Sequence, residues 1–241
     1  VNLMLKRYSA NLRKAGLSAS IEPPHDLRAK LAESLTDLAP SKRNTVAVLT
    51  GYDEIIEDMT QKVLTATSYV YVEFFAMALD DTTEPFFAAL ETARARGVEV
   101  YVLFDTLGSR KYKGYRAMKQ RLTAMGAYWR AALPISLRPS KYNRPDLRNH
   151  RKILVIDNRF GYLGSLNMIE KTYQRKDDIS YIELVSRLEG PAVNEAAAAV
   201  FASDWYCETG VILKQFTDNT IPSKRGRVAA QVIPSGPGFP V

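Results

Sequence analysis

The sequence predicts an α/β fold, a mostly parallel or mixed sheet flanked by helices on both faces, and three observations carry that expectation. From Thr45 onward, short apolar runs alternate with longer segments of helical period. The runs are dense in β-branched and aromatic residues, as strands covered on both faces are. The intervening helical segments are long enough to cross over between parallel neighbours in the right-handed sense.

Taken in order, residues 1–19 set Leu3, Leu5, Leu12 and Leu17 among Lys6, Arg7, Arg13 and Lys14, a basic amphipathic helix suited to a solvated periphery or to a membrane surface. Pro23-Pro24 breaks the chain, Asp26 caps a second helix reaching Leu38, and 39–44 reads as a linker. A strand over 46–49 follows, then a turn at Gly51-Tyr52-Asp53 and a helix over 54–66 with Ile55, Ile56, Met59 and Val63 on one side. The next unit is a strand over 69–75, a helix over 83–96 capped by Gly97, and a strand over 98–104. Residues 105–116 leave that strand as a basic loop holding Arg110 and Lys111, either a wall of a ligand site or a solvated connection. A helix to about Met125 and a short strand over 128–131 come next. Residues 136–148 then carry Arg138, Lys141, Arg144 and Arg148 with two prolines and no apolar period, a long basic loop.

After a hairpin over 153–163 and an irregular stretch over 168–178, a strand is expected over 179–185, with Tyr181, Glu183 and Val185 on one face. Glu183 interrupts an otherwise buried run, so its carboxylate needs a cationic or imidazole partner. Glu189-Gly190-Pro191 opens an alanine-rich helix to about Tyr206, and 228–233 reads as a terminal strand. This organisation divides the chain into peripheral helices and linker over 1–44, a catalytic lobe over 45–215, and a linker leading out over 216–241.

Composition narrows the chemistry. Thirty-three Lys and Arg against 26 Asp and Glu give a net charge of +7, which favours anionic partners: phospholipid head groups, nucleic acid or phosphorylated substrates. One cysteine, Cys207, excludes an intramolecular disulfide, and with two histidines it cannot build a His/Cys zinc cluster, so neither a metal nor another cofactor is expected. No apolar run approaches the roughly 20 residues of a membrane span, and the chain as given is expected to be soluble.

The chemistry concentrates between Arg148 and Asn167. His150 and Lys152 are two apart, a spacing that puts both on one face of a strand and lets both reach one anion. Residues 153–156 are an unbroken apolar run, Asp157-Asn158 supplies the turn, and a return strand leads to Gly164-Ser165-Leu166-Asn167, where small residues admit close approach of a ligand oxygen. A neutral imidazole nitrogen can attack phosphorus, a cation and an amide can hold its oxygens, and a hydroxyl can add a hydrogen bond.

The spacing His-x-Lys, four residues, Asp, six residues, Gly-Ser-x-Asn is met by His150, Lys152, Asp157, Gly164, Ser165 and Asn167, and it resembles the HKD motif of the phospholipase D superfamily. The likeness extends over about residues 45–237 and looks most like the amino-terminal catalytic half of bacterial cardiolipin synthases. It is carried by 148–157, 105–110, Leu188-Glu-Gly-Pro-Ala-Val193, Asp204-Trp-Tyr206 with Thr209-Gly210, and 231–237.

The resemblance implies an α-β-α sandwich with one HKD lobe and a phosphatidyltransferase working through a phosphohistidine. His150 is then the nucleophile, Lys152 and Asn167 bind phosphoryl oxygens, and Ser165 assists. Glu183 matches the acidic position six residues before the Glu-Gly-Pro turn and would orient the imidazole, with Asp177 and Asp178 as second choices. Arg148, Arg110 and Lys111 would contact substrate, while Asp157 and Gly164 would be structural.

Cardiolipin synthases carry a second HKD motif downstream and usually transmembrane helices upstream. Neither lies within these residues, so the natural protein is expected to continue past Val241, or two copies to pair, to complete the site. The implied partners are phosphatidylglycerol, a second HKD half and a membrane surface, with the full-length protein at the bacterial cytoplasmic membrane and nucleic acid disfavoured. A phospholipase D-like phosphodiesterase or nuclease working as a homodimer is the alternative, as is an inactive module that binds anionic lipid.

Overall fold

A computed structural model describes residues 2–134, 146–173, 182–213 and 226–235, and these residues fall into two compact units. The elements in chain order are α1 (Asn2–Lys14), α2 (Asp26–Thr36), β1 (Ser41–Leu49), α3 (Tyr52–Leu64), β2 (Tyr69–Phe74), α4 (Glu84–Ala95), β3 (Glu99–Asp105), α5 (Thr106–Arg110), α6 (Tyr115–Ala124), β4 (Tyr128–Ala132), β5 (Lys152–Ile156), β6 (Phe160–Gly164), β7 (Val185–Glu189), α7 (Pro191–Thr209) and β8 (Val228–Ala230). These eight strands mix parallel and antiparallel pairings, with helices alongside, in agreement with the α/β expectation.

The unit built from residues 48–157 and 162–186 has β2 at its centre. Its six residues are all buried, which is why the segment reads as a continuous apolar and aromatic run. β2 pairs in parallel with β3, Tyr69 opposite Glu99 and Phe74 opposite Phe104, and β3 pairs in parallel with β4. On its other side β2 pairs antiparallel with β5, placing Phe74 opposite Lys152. That last pairing is what brings the motif lysine to the end of the most buried strand. α3 packs against α4, burying Ile55, Ile56, Met59 and Val63 on one and Phe86, Phe87 and Leu90 on the other, the stripe that a 3.6-residue period dictates.

Two expectations shift here. The basic stretch after β3 is not all loop: Asp105 accepts a hydrogen bond from Gly108 N at 2.8 Å and caps the short helix α5. Among the described residues of the strand expected over 179–185, only Val185 lies in a strand, so Glu183 precedes β7 rather than lying within it. Residues 136–145 of the basic loop, Asp177, Asp178 and the start of that expected strand lie outside the described residues.

The unit built from residues 1–47, 158–161 and 187–241 holds α1, packed on α7, with Tyr8, Leu12 and Leu17 buried. α7 is buried along most of its length, and its alanines let backbones approach closely. β1 opens at Ser41, inside the stretch read as a linker, because β8 pairs with it there: Ser41 lies opposite Ala230 and Asn44 opposite Val228. Asn44 is buried and donates to Ser41 O at 3.1 Å, Ser41 Oγ at 3.0 Å and Val228 O at 3.2 Å, a polar clasp no local pattern predicts.

Candidate active site

Lys152 is 8% exposed, and its ammonium reaches back along the chain to donate to His150 O at 2.8 Å, with the His150 ring Nδ1 3.1 Å away. His150 itself is exposed and lies two residues ahead of β5 rather than within the strand, yet the two side chains share one side. Phe75 floors the pair, its ring centroid 4.5 Å from that of His150 and 5.4 Å from the lysine nitrogen.

The electrostatics follow from this packing. Burial pushes the Lys152 ammonium down to about 8, against the opposing pull of Glu183. His150 is held below the ordinary histidine value, first by burial and then by the Lys152 charge, with Asp105 working the other way. At neutral pH the imidazole is therefore mostly neutral, while the lysine keeps most of its charge.

The segment that presents His150 is tethered at the two residues before it. Arg148 turns inward: Nη2 donates to Asp105 Oδ1 at 2.8 Å and to Leu133 O at 2.9 Å, and the pair's side chains are 10% and 0% exposed. It is an internal ion pair, not a group offered to substrate. Asn149 Nδ2 donates at 2.5 Å to Oε1 of Glu73, a buried carboxylate within β2, while Asn149 Oδ1 accepts from Arg151 N at 3.0 Å. That second bond closes an Asx turn across His150. Glu73, Asn149 and Asp105 were not evident from the motif, because the carboxylates come from strands more than forty residues away.

Asn167 is buried, its side-chain oxygen accepting from Ala76 N at 3.0 Å and its amide donating to Tyr173 OH at 3.0 Å. Tyr52 donates to Asn167 O at 3.0 Å and also to Ile169 O. Burial, then Tyr173, Glu183 and Asp80, raise the Tyr52 hydroxyl far above the usual phenol value, so it stays a donor. Ser165 Oγ donates to Glu183, and Leu184 N donates to Ser165 Oγ at 2.9 Å. Glu183, expected to face the imidazole, is thus buried against Ser165 and acts on Lys152 through its charge.

Gly164 is tight for another reason than ligand approach. A Cβ there would meet Leu184 O at 2.2 Å, so the glycine lets the neighbouring backbone close in. Asp157, with φ at 52°, accepts from Thr67 N and Oγ1 at 2.7 and 2.9 Å and from Ser68 N and Tyr69 N at 2.9 and 2.8 Å. Both oxygens are spent on the start of β2, away from the chemistry. Arg110 and Lys111 are exposed at the end of α5, Lys111 over the Tyr112 ring at 5.1 Å. Among the described residues no group of three or more His, Cys, Asp or Glu side chains could hold a metal ion.

Known proteins match much of this sequence. A family described as "Cardiolipin synthase, PLD-like domain" matches residues 59–205. Cardiolipin synthase A of Proteus mirabilis is 33% identical over 204 residues, 83% of this chain and 42% of the relative. Cardiolipin synthase A of Pectobacterium carotovorum is 32% identical over 88% of this chain and 44% of the relative, so the chain spans less than half the length of these proteins. The fold is shared with the phospholipase D family member Nuc of Salmonella typhimurium, at TM-score 0.51 and 17% identity, over 67% of this chain and 94% of that one. Because the family match covers well over half of its residues, this chain belongs to the cardiolipin synthase, phospholipase D-like domain family.

Proposed function

We propose that the chain supplies one half of a phosphatidyltransferase site of cardiolipin synthase type. His150 attacks the phosphorus of a phosphatidylglycerol, glycerol leaves, and the phosphatidyl group passes to a second phosphatidylglycerol to give cardiolipin. The observation that carries this reading is the 3.1 Å contact between Lys152 Nζ and His150 Nδ1, which puts cation and nucleophile within reach of one phosphodiester.

In the resting chain the ammonium donates toward Nδ1, which leaves the ring proton on Nε2 and blocks attack from that nitrogen. An anionic phosphoryl oxygen is the stronger acceptor for that ammonium. Once it takes the lysine, Nδ1 can carry the ring proton and Nε2 presents a lone pair. A phosphorus–nitrogen bond then forms as the bond to the glycerol oxygen breaks, and Lys152 and Asn167 hold the charge on the non-bridging oxygens. For Asn167 this means exchanging its bond to Tyr173 for one to substrate. Asp105, whose charge favours the protonated imidazole, stabilises the cationic ring that develops, while Glu183 supports the charge on Lys152.

The departing alkoxide needs a proton and the incoming hydroxyl must lose one. The other histidine of the chain, His25, lies outside the motif, so this acid and base comes from a second HKD half, in the same longer chain or in a second copy. The reading places the whole protein at the bacterial cytoplasmic membrane; among the described residues no helix is long and apolar enough to cross one.

The test is to incubate the assembled protein with labelled phosphatidylglycerol. Cardiolipin is the expected product, and His150→Ala is expected to abolish it. Phosphatidic acid as the sole product replaces the transferase reading with a hydrolase, and turnover that survives His150→Ala removes His150 as nucleophile.

A further inference from the structure

Helix α2 is amphipathic in the reverse of the usual sense. Leu27, Leu31 and Leu35, four residues apart and therefore stacked in one stripe, are 72%, 60% and 39% exposed. The buried side of the helix is formed by Ala32 and Thr36. At about 100° per residue the outward arc reads Lys30, Ser34, Leu27, Leu31, Leu35, Arg28. Three leucines are thus bracketed by two cations with no carboxylate among them. The two acids of the helix, Asp26 and Glu33, are only partly exposed: Asp26 lies 3.6 Å from the Lys30 ammonium on the flank of the helix away from the leucines, and Glu33 is paired with Arg13 of α1.

Leaving such leucines in water forgoes roughly 1.5–3 kcal/mol apiece, so the stripe is built to be covered. The charge pattern chooses the cover. Cations at both margins of an apolar stripe, on a chain of net charge +7, match a surface that is apolar beneath and anionic above. α1, which the sequence offered for that role, instead buries Tyr8 and Leu12.

We propose that α2 is an interfacial helix that docks this chain on an anionic bilayer, its three leucines at the acyl boundary and Arg28 and Lys30 among the head groups. The proposal stands apart from the phosphoryl chemistry and does not depend on it.

The experiment is flotation of the chain with vesicles of mixed phosphatidylcholine and phosphatidylglycerol, beside phosphatidylcholine alone. The chain should bind the mixed vesicles more tightly and be partly released by salt. Leu27→Glu and Leu31→Glu should each weaken binding about tenfold or more, with unchanged thermal melts because both side chains are exposed. Arg28→Gln with Lys30→Gln should erase most of the preference for the anionic vesicles. Leu31→Trp should be quenched by brominated lipid, and His150→Ala should bind like the parent, separating the helix from the phosphoryl site. Undiminished binding by the Leu27→Glu, Leu31→Glu double variant overturns the proposal. So does a dimer that Leu31→Glu splits in sedimentation equilibrium while no vesicle is bound, which assigns the stripe to a second copy.

Discussion

Lys152 donates to the carbonyl oxygen of His150 at 2.8 Å while its ammonium stands 3.1 Å from that residue's Nδ1. The lysine therefore holds the histidine in place and lowers its proton affinity at once. Replacing it in Lys152→Met removes the cation and should raise the His150 pKa. Proton NMR titration of the chain checks this with His25, the other histidine, as internal reference. An unchanged His150 titration in the variant would show that the two groups are not coupled.

The same pair sets a pH window. In the proposed mechanism His150 must be neutral to attack, and its pKa lies below the ordinary histidine value, so activity should be lost on acidification only below about pH 6.5. Lys152 must be charged to hold phosphoryl oxygen and is pushed down to about 8, so the alkaline limb should fall near that value rather than near an ordinary lysine's. The profile of kcat/KM in the assembled protein is the measurement. An alkaline limb near that of a free lysine would show that Lys152 keeps its charge by another route.

Much of this site is readable along the chain because a hairpin keeps its members close in sequence. His150, Lys152, Asp157 and Asn167 are joined by one tight turn, and two-residue spacing suffices to pair the first two even though His150 precedes the strand. What the sequence could not give is long-range. Arg148 reads as one more cation in a basic loop, and only the β3 position of Asp105 turns it inward. Glu183 was assigned a strand and an imidazole, whereas the packing at Gly164 brings Leu184 next to Ser165 and gives the carboxylate a hydroxyl instead. For α2, periodicity reports a leucine stripe but not which way it faces.

Asp157 should be a matter of stability. Its carboxylate takes hydrogen bonds from Thr67, Ser68 and Tyr69, which fix the start of β2. Asp157→Ala loses all of them and puts a less tolerant residue at positive φ, which should cost about 2–4 kcal/mol in urea unfolding. Asp157→Asn, which keeps one acceptor oxygen, should cost less. A loss of turnover in a fully folded Asp157→Asn protein would give this residue a part in the chemistry after all.

The Arg148 and Asp105 pair is buried, so its two members should be strongly coupled. Breaking it from one side leaves an uncompensated charge and should cost about 3–5 kcal/mol in either Arg148→Met or Asp105→Asn. The double variant removes both charges and should be clearly more stable than the sum of the single losses predicts. Additive losses in denaturant unfolding would place Arg148 outside the core and return it to the list of groups available to substrate.

Asn149 bridges the buried Glu73 and the backbone of Arg151, and His150 stands at the crest of that bridge. The carboxylate is buried inside β2, on a strand whose six residues are all covered, so its position is fixed by the core and is passed through Asn149 to the imidazole. A displacement of about an ångström at a reacting group can cost on the order of a hundredfold in rate. Asn149→Ala should therefore lower kcat far more than it raises KM, because Lys152 and Asn167, the proposed phosphoryl ligands, are held by other contacts. Glu73→Gln keeps an oxygen for Asn149 to donate to and should retain much of the rate, whereas Glu73→Leu should behave like Asn149→Ala. Steady-state kinetics on the assembled protein, beside thermal melts, separate positioning from simple destabilisation. Equal rates for the glutamine and leucine variants would mean that the hydrogen bond from Asn149 does not govern where His150 stands.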